Sequence, residues 1–178
     1  MKVEQTDLPG VLLLRPKVFE DARGFFAETY HRARYAEAGI DAEFVQDNES
    51  RSCYGTLRGL HYQVQFAQGK LVRVVDGEVF DVAVDLRRDS AHFGRWTGAH
   101  LSAENHLQMF IPPGFAHGFC VLSPWADVIY KCTDYYHPEH ECTLAWDDPQ
   151  VNIRWPIRDV ILSPKDRAGR PLSETPCY

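Results

Sequence analysis

Short apolar runs broken by glycine and proline dominate this chain. In Glu78–Leu86, Phe80, Val82, Val84 and Leu86 fall on one side of an extended strand, and Val79, Asp81, Ala83 and Asp85 on the other. Similar runs predict strands over Val11–Leu14, Phe25–Tyr30, Phe44–Asp47, Lys70–Val75, Trp96–Leu101, Gln108–Ile111, Gly118–Leu122, Val128–Thr133 and Thr143–Trp146. Turn residues such as Pro9-Gly10, Gly55, Gly69, Gly77 and Pro112-Pro113-Gly114 separate them. This pattern is that of an all-β sandwich or barrel, and about ten strands suit a jelly roll. Periodicity alone does not separate a jelly roll from other sandwiches. One early helix is predicted over Arg32–Ala38, closed by Gly39 as its C-terminal cap. The proline-rich tail after Trp155 has room for another short one.

No linker, repeat or low-complexity block interrupts the chain, so residues 1–178 are expected to form one domain. Apolar residues at 44% and charged residues at 25% suit a soluble globular protein with a real core. A net charge of −6 argues against a general nucleic-acid surface, though not against a local basic pocket. Five cysteines, an odd number with no CxxC spacing, point to reduced thiols and a cytoplasmic location. The opening MKVEQTDLPG lacks the apolar heart of a signal peptide, and no run is long enough to span a membrane.

The candidate chemistry gathers in three places: GTLRGLHYQ at Gly55–Gln63, QGK at Gln68–Lys70 and IPPGFAHGF at Ile111–Phe119. The Gly-x5-His and Pro-x-Gly-x2-His spacings resemble the two halves of a cupin motif. Metal-holding cupins usually carry a second histidine two residues after the first; here that place is Gln63. An imidazole such as His61 can serve as a general base near neutral pH. An ammonium such as Lys70, held in a pocket, can stabilise a developing enolate oxygen. A phenol such as Tyr130 keeps its proton at neutral pH and can give it to a carbanion. Arg23, Arg58 and Lys165 are the candidate cations for a diphosphate. One geometric question stays open. Arg58 and His61 are three residues apart, so an ideal strand sends them to opposite faces. Either Gly59 hosts a bulge that re-aims one of them, or Arg58 precedes the strand.

The motifs DARGFFAE (Asp21–Glu28), FVQDNESRS (Phe44–Ser52), TLRGLHYQ, QGKLVRVVDGEVFDVAVDLRRDS (Gln68–Ser90), LSAEN (Leu101–Asn105), IPPGFAHGF, YKCTDYYHPEHE (Tyr130–Glu141) and LSPKD (Leu162–Asp166) follow one another along the chain. In this order the sequence resembles the dTDP-4-dehydrorhamnose 3,5-epimerase family, from about Leu8 to Asp166. The resemblance implies a cupin-type jelly-roll barrel with a few short peripheral helices. It implies His61 as base, Lys70 as support for the oxyanion, Tyr130 as acid on the opposite face of the sugar, and Asp166 as the carboxylate paired with the base. It places His117 near the sugar or its keto group and Tyr136 on the thymine. Glu28, Gln46, Asp47, Asn48 and Glu141 fall at substrate-contacting positions. It further implies a dTDP-sugar substrate and no cofactor or metal. The expected assembly is a homodimer in which the segment near Arg23–Glu28 enters the partner's site. SAHFG at Ser90–Gly94, Phe110 and WDDP at Trp146–Pro149 depart from the commoner family pattern without touching the acid–base set.

Three rivals are weighed against this reading. A mono-epimerase would act at carbon 3 or carbon 5 only. A metal-dependent cupin enzyme would hold one tightly bound ion per chain. A non-enzymatic sugar-nucleotide-binding module would keep Arg23 and Tyr136 but have no use for His61 and Tyr130 as a pair.

Overall fold

A computed structural model describes residues 1–178. Two antiparallel sheets face one another. The first has six strands in the order β1 (Lys2–Gln5), β2 (Leu12–Arg15), β10 (Gln108–Ile111), β7 (Lys70–Asp76), β12 (Trp125–Cys132) and β5 (Gln46–Cys53). The second has five, in the order β13 (Glu141–Thr143), β6 (Leu57–Gln63), β11 (Phe115–Val121), β8 (Glu78–Asp85) and β9 (Trp96–Ser102). A separate hairpin joins β3 (Val18–Asp21) to β4 (Gly24–Ala27). With two short helices, α1 (Arg32–Glu37) and α2 (Pro164–Arg167), this is the expected all-β jelly roll of cupin type.

Strand β8 shows why the sandwich forms. Val79 and Ala83 enter the layer between the sheets beside Val72, Val74, Met109, Phe119, Val121 and Val128. Phe80, Val82 and Val84 lie on the other face with Leu86, under the C-terminal segment that supplies Leu144, Val151 and Leu172. Both faces are therefore apolar because both are covered. The outer face of the six-stranded sheet is covered at one end by α1, where Tyr35 and Ile40 pack on Leu12, Leu14, Leu71 and Phe110. Helix α1 ends in two bonds that bracket Gly39 at φ +92: Gly39 N–H donates to Ala36 O at 2.9 Å and Ile40 N–H to Tyr35 O at 2.8 Å. That closure needs a left-handed residue, which glycine supplies without strain.

Several elements differ from the sequence reading. The expected strand Phe25–Tyr30 is β4, which stops at Ala27 and pairs with β3 through a two-residue turn at Ala22-Arg23. Strand β5 runs to Cys53 rather than ending at Asp47. Strand β13 lies over Glu141–Thr143, ahead of the predicted Thr143–Trp146. The wholly exposed β1 carries no apolar face and went unpredicted.

Candidate active site

One end of the sandwich opens into a cleft of about 290 Å³. The six-stranded sheet supplies Gln46, Asn48 and Ser50 from β5, Lys70 from β7 and Tyr130 from β12. The five-stranded sheet supplies Arg58 and His61 from β6, His117 and Phe119 from β11, and Glu141 from β13. Gln68, Tyr136 and Lys165 come from the rim. Arg58, Lys70 and Lys165 face a single lining carboxylate, Glu141, so the cleft is cationic in a chain of net charge −6.

Arg58 and His61 share this cleft because β6 slips against β11. His61 pairs with His117 and Arg58 with Phe119, so three steps on β6 match two on β11. The extra residue changes the parity of the strand and brings both side chains to one face. Gly59 makes the close approach possible: at φ +125, a Cβ there would sit 2.7 Å from Gly118 Cα and 2.8 Å from His117 O. Arg58 is steadied by donating from Nε to Ser52 Oγ at 2.9 Å.

His61 Nε2 lies 2.5 Å from Asp166 Oδ1, leaving Nδ1 for the cleft. Asp166 is buried at the start of α2. Its other oxygen accepts from Ser163 Oγ at 2.8 Å, and its own N–H donates to Ser163 Oγ at 3.1 Å. Burial alone would raise the Asp166 carboxyl. Donors from His61, Ser163 and the Gly59 N–H outweigh it and hold the group below its ordinary pKa. Burial pulls His61 below the usual histidine value, against the opposing pull of Asp166. His61 is therefore oriented by a carboxylate yet neutral at physiological pH, as a general base requires.

Across the cleft, Tyr130 and Lys70 stand on adjacent strands. Tyr130 pairs with Val72, and Lys70 with Cys132, two residues on. Burial raises the Tyr130 hydroxyl above its ordinary pKa, so it stays protonated. Lys70 is 9% exposed, and burial lowers its ammonium from the usual lysine value. His117 is also buried, with Nε2 at 2.9 Å from the fully buried Asp81 Oδ2.

The other wall is a polar chain. Tyr136 N–H donates to Gln46 Oε1 at 2.9 Å, and Gln46 Nε2 to Asn48 Oδ1 at 3.0 Å. Tyr136 Oη and Lys165 Nζ both donate to Glu141 Oε2, at 2.8 and 2.6 Å. Burial would raise Glu141, but these two donors bring it below its usual value. The Tyr136 hydroxyl, bonded to that carboxylate, is pushed up to about 12.

The residues at the cupin metal positions do not fit a metal. No three His, Cys, Asp or Glu side chains converge there as a ligand set, and the Gln63 amide is spent on backbone groups.

Three of the residues expected at the substrate do not line this chain's own cleft. Arg23, at the tip of the β3–β4 hairpin, pairs with Asp21 at 2.6 Å. Glu28 pairs with Arg34 at 2.6 Å. Asp47 follows Gln46 on β5 and so points to the opposite face, where it pairs with Lys131 at 2.9 Å. Sequence reasoning missed Ser50, Gln68 and Phe119 in the lining, and Asp81 beneath His117. Asp81 left one trace: with Asp85 it is one of two charges on the face of β8 that also carries Val79 and Ala83.

Comparison with known proteins agrees with this geometry. A family profile described as dTDP-4-dehydrorhamnose 3,5-epimerase matches residues 5–174. The chain is 55% identical to the dTDP-4-dehydrorhamnose 3,5-epimerase of Pseudomonas aeruginosa, covering 100% of this chain and 99% of that one. It is 52% identical to the enzyme of that name from Escherichia coli, covering 98% and 96%. Among solved structures, dTDP-6-deoxy-D-glucose-3,5-epimerase from Legionella pneumophila, in complex with dTDP-4-keto-L-rhamnose, superposes with a TM-score of 0.96 at 53% identity, covering 99% and 98%. On fold, cleft and sequence together, this chain belongs to the dTDP-4-dehydrorhamnose 3,5-epimerase family.

Proposed function

We propose that this chain epimerises carbons 3 and 5 of dTDP-4-keto-6-deoxy-D-glucose, giving dTDP-4-keto-L-rhamnose. The observation that carries the reading is a neutral, carboxylate-oriented His61 facing a protonated Tyr130 across one cationic cleft. The 4-keto group acidifies the neighbouring C–H bonds. His61 takes the proton from one ring face, and the bonding pair moves onto the ketone oxygen as an enolate. Lys70 balances that charge. Tyr130 then protonates the same carbon from the other face; His61 gives its proton up to solvent and the Tyr130 phenolate takes one up before the second carbon reacts. Arg58 and Lys165 hold the diphosphate, and Tyr136 stacks on the base beside Gln46 and Asn48. The donor set supports chemistry without a metal ion. Incubation in deuterated water with NMR readout tests the reading: deuterium should enter at both carbons and L-rhamno product accumulate. Exchange at one carbon alone would make the chain a mono-epimerase.

The homodimer belongs to the same proposal. Phe19, Phe25 and Phe26 on the hairpin are 53%, 64% and 69% exposed, far more than aromatic side chains usually are. A second copy of the chain covering them would carry Arg23 and Glu28 to the partner's nucleotide. Five free cysteines support a cytoplasmic location, and no helix is long and apolar enough to cross a membrane.

A further inference from the structure

We infer that Gln63, at the position where metal cupins carry a second histidine, is a positioning residue for nucleotide recognition. It does so by tying the strand of the base to the loop of Tyr136. Gln63 is 3% exposed, and both ends of its amide have partners. Nε2 donates to Phe66 O at 2.7 Å and to Tyr135 O at 3.3 Å, while Oε1 accepts from His137 N–H at 2.7 Å. Two carbonyls on one side and one N–H on the other fit only this orientation of the amide. The partners at 135 and 137 bracket Tyr136, whose own N–H goes to Gln46. The ring of Tyr136 is thus aimed by backbone bonds on both sides of it.

The third partner, Phe66, belongs to the loop leading into Lys70. That loop is joined to the Tyr136 loop at further points. Phe66 stacks on His137 with ring centroids 4.1 Å apart, Gln68 Nε2 donates to Asp134 O at 2.9 Å, and Gly69 N–H donates to Thr133 Oγ1 at 2.7 Å. Gln63 lies two residues after His61 on β6, so it is the point where the catalytic strand holds both loops. A leucine of similar size would strip two carbonyls and an N–H of their protein partners in this part-buried joint, and the loop would open toward water.

This inference rests on Tyr136 contacting the nucleotide, and the test separates the two. Gln63→Leu and Gln63→Glu are compared with Tyr136→Ala for KM, kcat and binding of dTDP. Glu keeps the size and the acceptor for His137 but loses the donors; should Gln63→Leu fail to fold, Gln63→Glu carries the test. Expected is a rise of about tenfold in KM and in the dTDP dissociation constant, with kcat at saturation little changed. Adding either change to Tyr136→Ala should weaken dTDP binding little further. A fall in kcat with dTDP binding intact, or additive losses in the double variant, overturns the role of Gln63. If Tyr136→Ala alone binds dTDP normally, the placement of the base fails instead.

Discussion

His61 and Tyr130 enter one cleft from opposite sheets of the sandwich, His61 on β6 and Tyr130 on β12. Inverting a carbon needs proton removal on one face of the ring and delivery on the other. Two groups on one strand, two residues apart, would address the same face. A sandwich open at one end gives the separation directly, since each sheet contributes one wall.

Removing the base and removing the acid should therefore look different. His61→Ala stops carbanion formation, so exchange with solvent at both carbons should fall by about 10²–10⁴. Tyr130→Phe leaves His61, Asp166 and Lys70 in place. Deuterium wash-in should persist while net epimerisation falls, because the proton returns from the side it left. Parallel loss of exchange and epimerisation in Tyr130→Phe would make that residue a substrate-positioning group.

The pH profile should separate His61 from Lys70. The base works as neutral imidazole, and its pKa lies below the ordinary value, so it stays neutral further into acid. The acidic limb of kcat/KM should then fall below about 6.5. On the alkaline side, burial lowers Lys70 and raises Tyr130, which moves loss of the ammonium proton toward that of the phenol and makes Lys70 the candidate for the limb. Lys70→Arg should shift that limb upward. An alkaline limb unmoved in Lys70→Arg but lost in Tyr130→Phe would assign it to the phenol.

What the sequence revealed follows from where side chains meet apolar surroundings. Strand β8 was legible because both its faces are buried, and the alternation correctly divided Phe80 and Val82 from Val79 and Ala83. Strand β5 was cut short because its inward positions are Gln46, Asn48, Ser50 and Ser52. They are polar since they wall or adjoin the cleft, not the core, so no apolar period marks the strand. The shared face of Arg58 and His61 depends on a register slip against β11, a tertiary fact that spacing along one strand cannot hold. The link from His61 to Asp166 spans 105 residues and came only through family resemblance.

Chelation tests the metal-free reading. With the Gln63 amide bonded to Phe66, Tyr135 and His137, a cation at the cupin position would have to break that clamp. Prolonged EDTA treatment followed by gel filtration should leave kcat unchanged. Loss of activity restored by one divalent ion would overturn the assignment.

The hairpin makes the most demanding prediction. Arg23 is 89% exposed and lies outside the cleft of its own chain, so a role at the nucleotide requires a second copy. The mass in solution should be twice 20.4 kDa. Mixing variants then tests the exchange. Arg23→Ala and His61→Ala should each be poorly active alone at substrate below KM. In a mixed dimer, the His61→Ala chain lends its intact Arg23 to the site that keeps His61, while the other site carries both defects. Random pairing of equal amounts makes half the dimers mixed, each with one working site, so about a quarter of wild-type activity should return. If Arg23 served its own chain, every site in the mixture would keep a defect and no activity would return. That outcome, or a fully active monomer, would remove the exchanged segment from the mechanism.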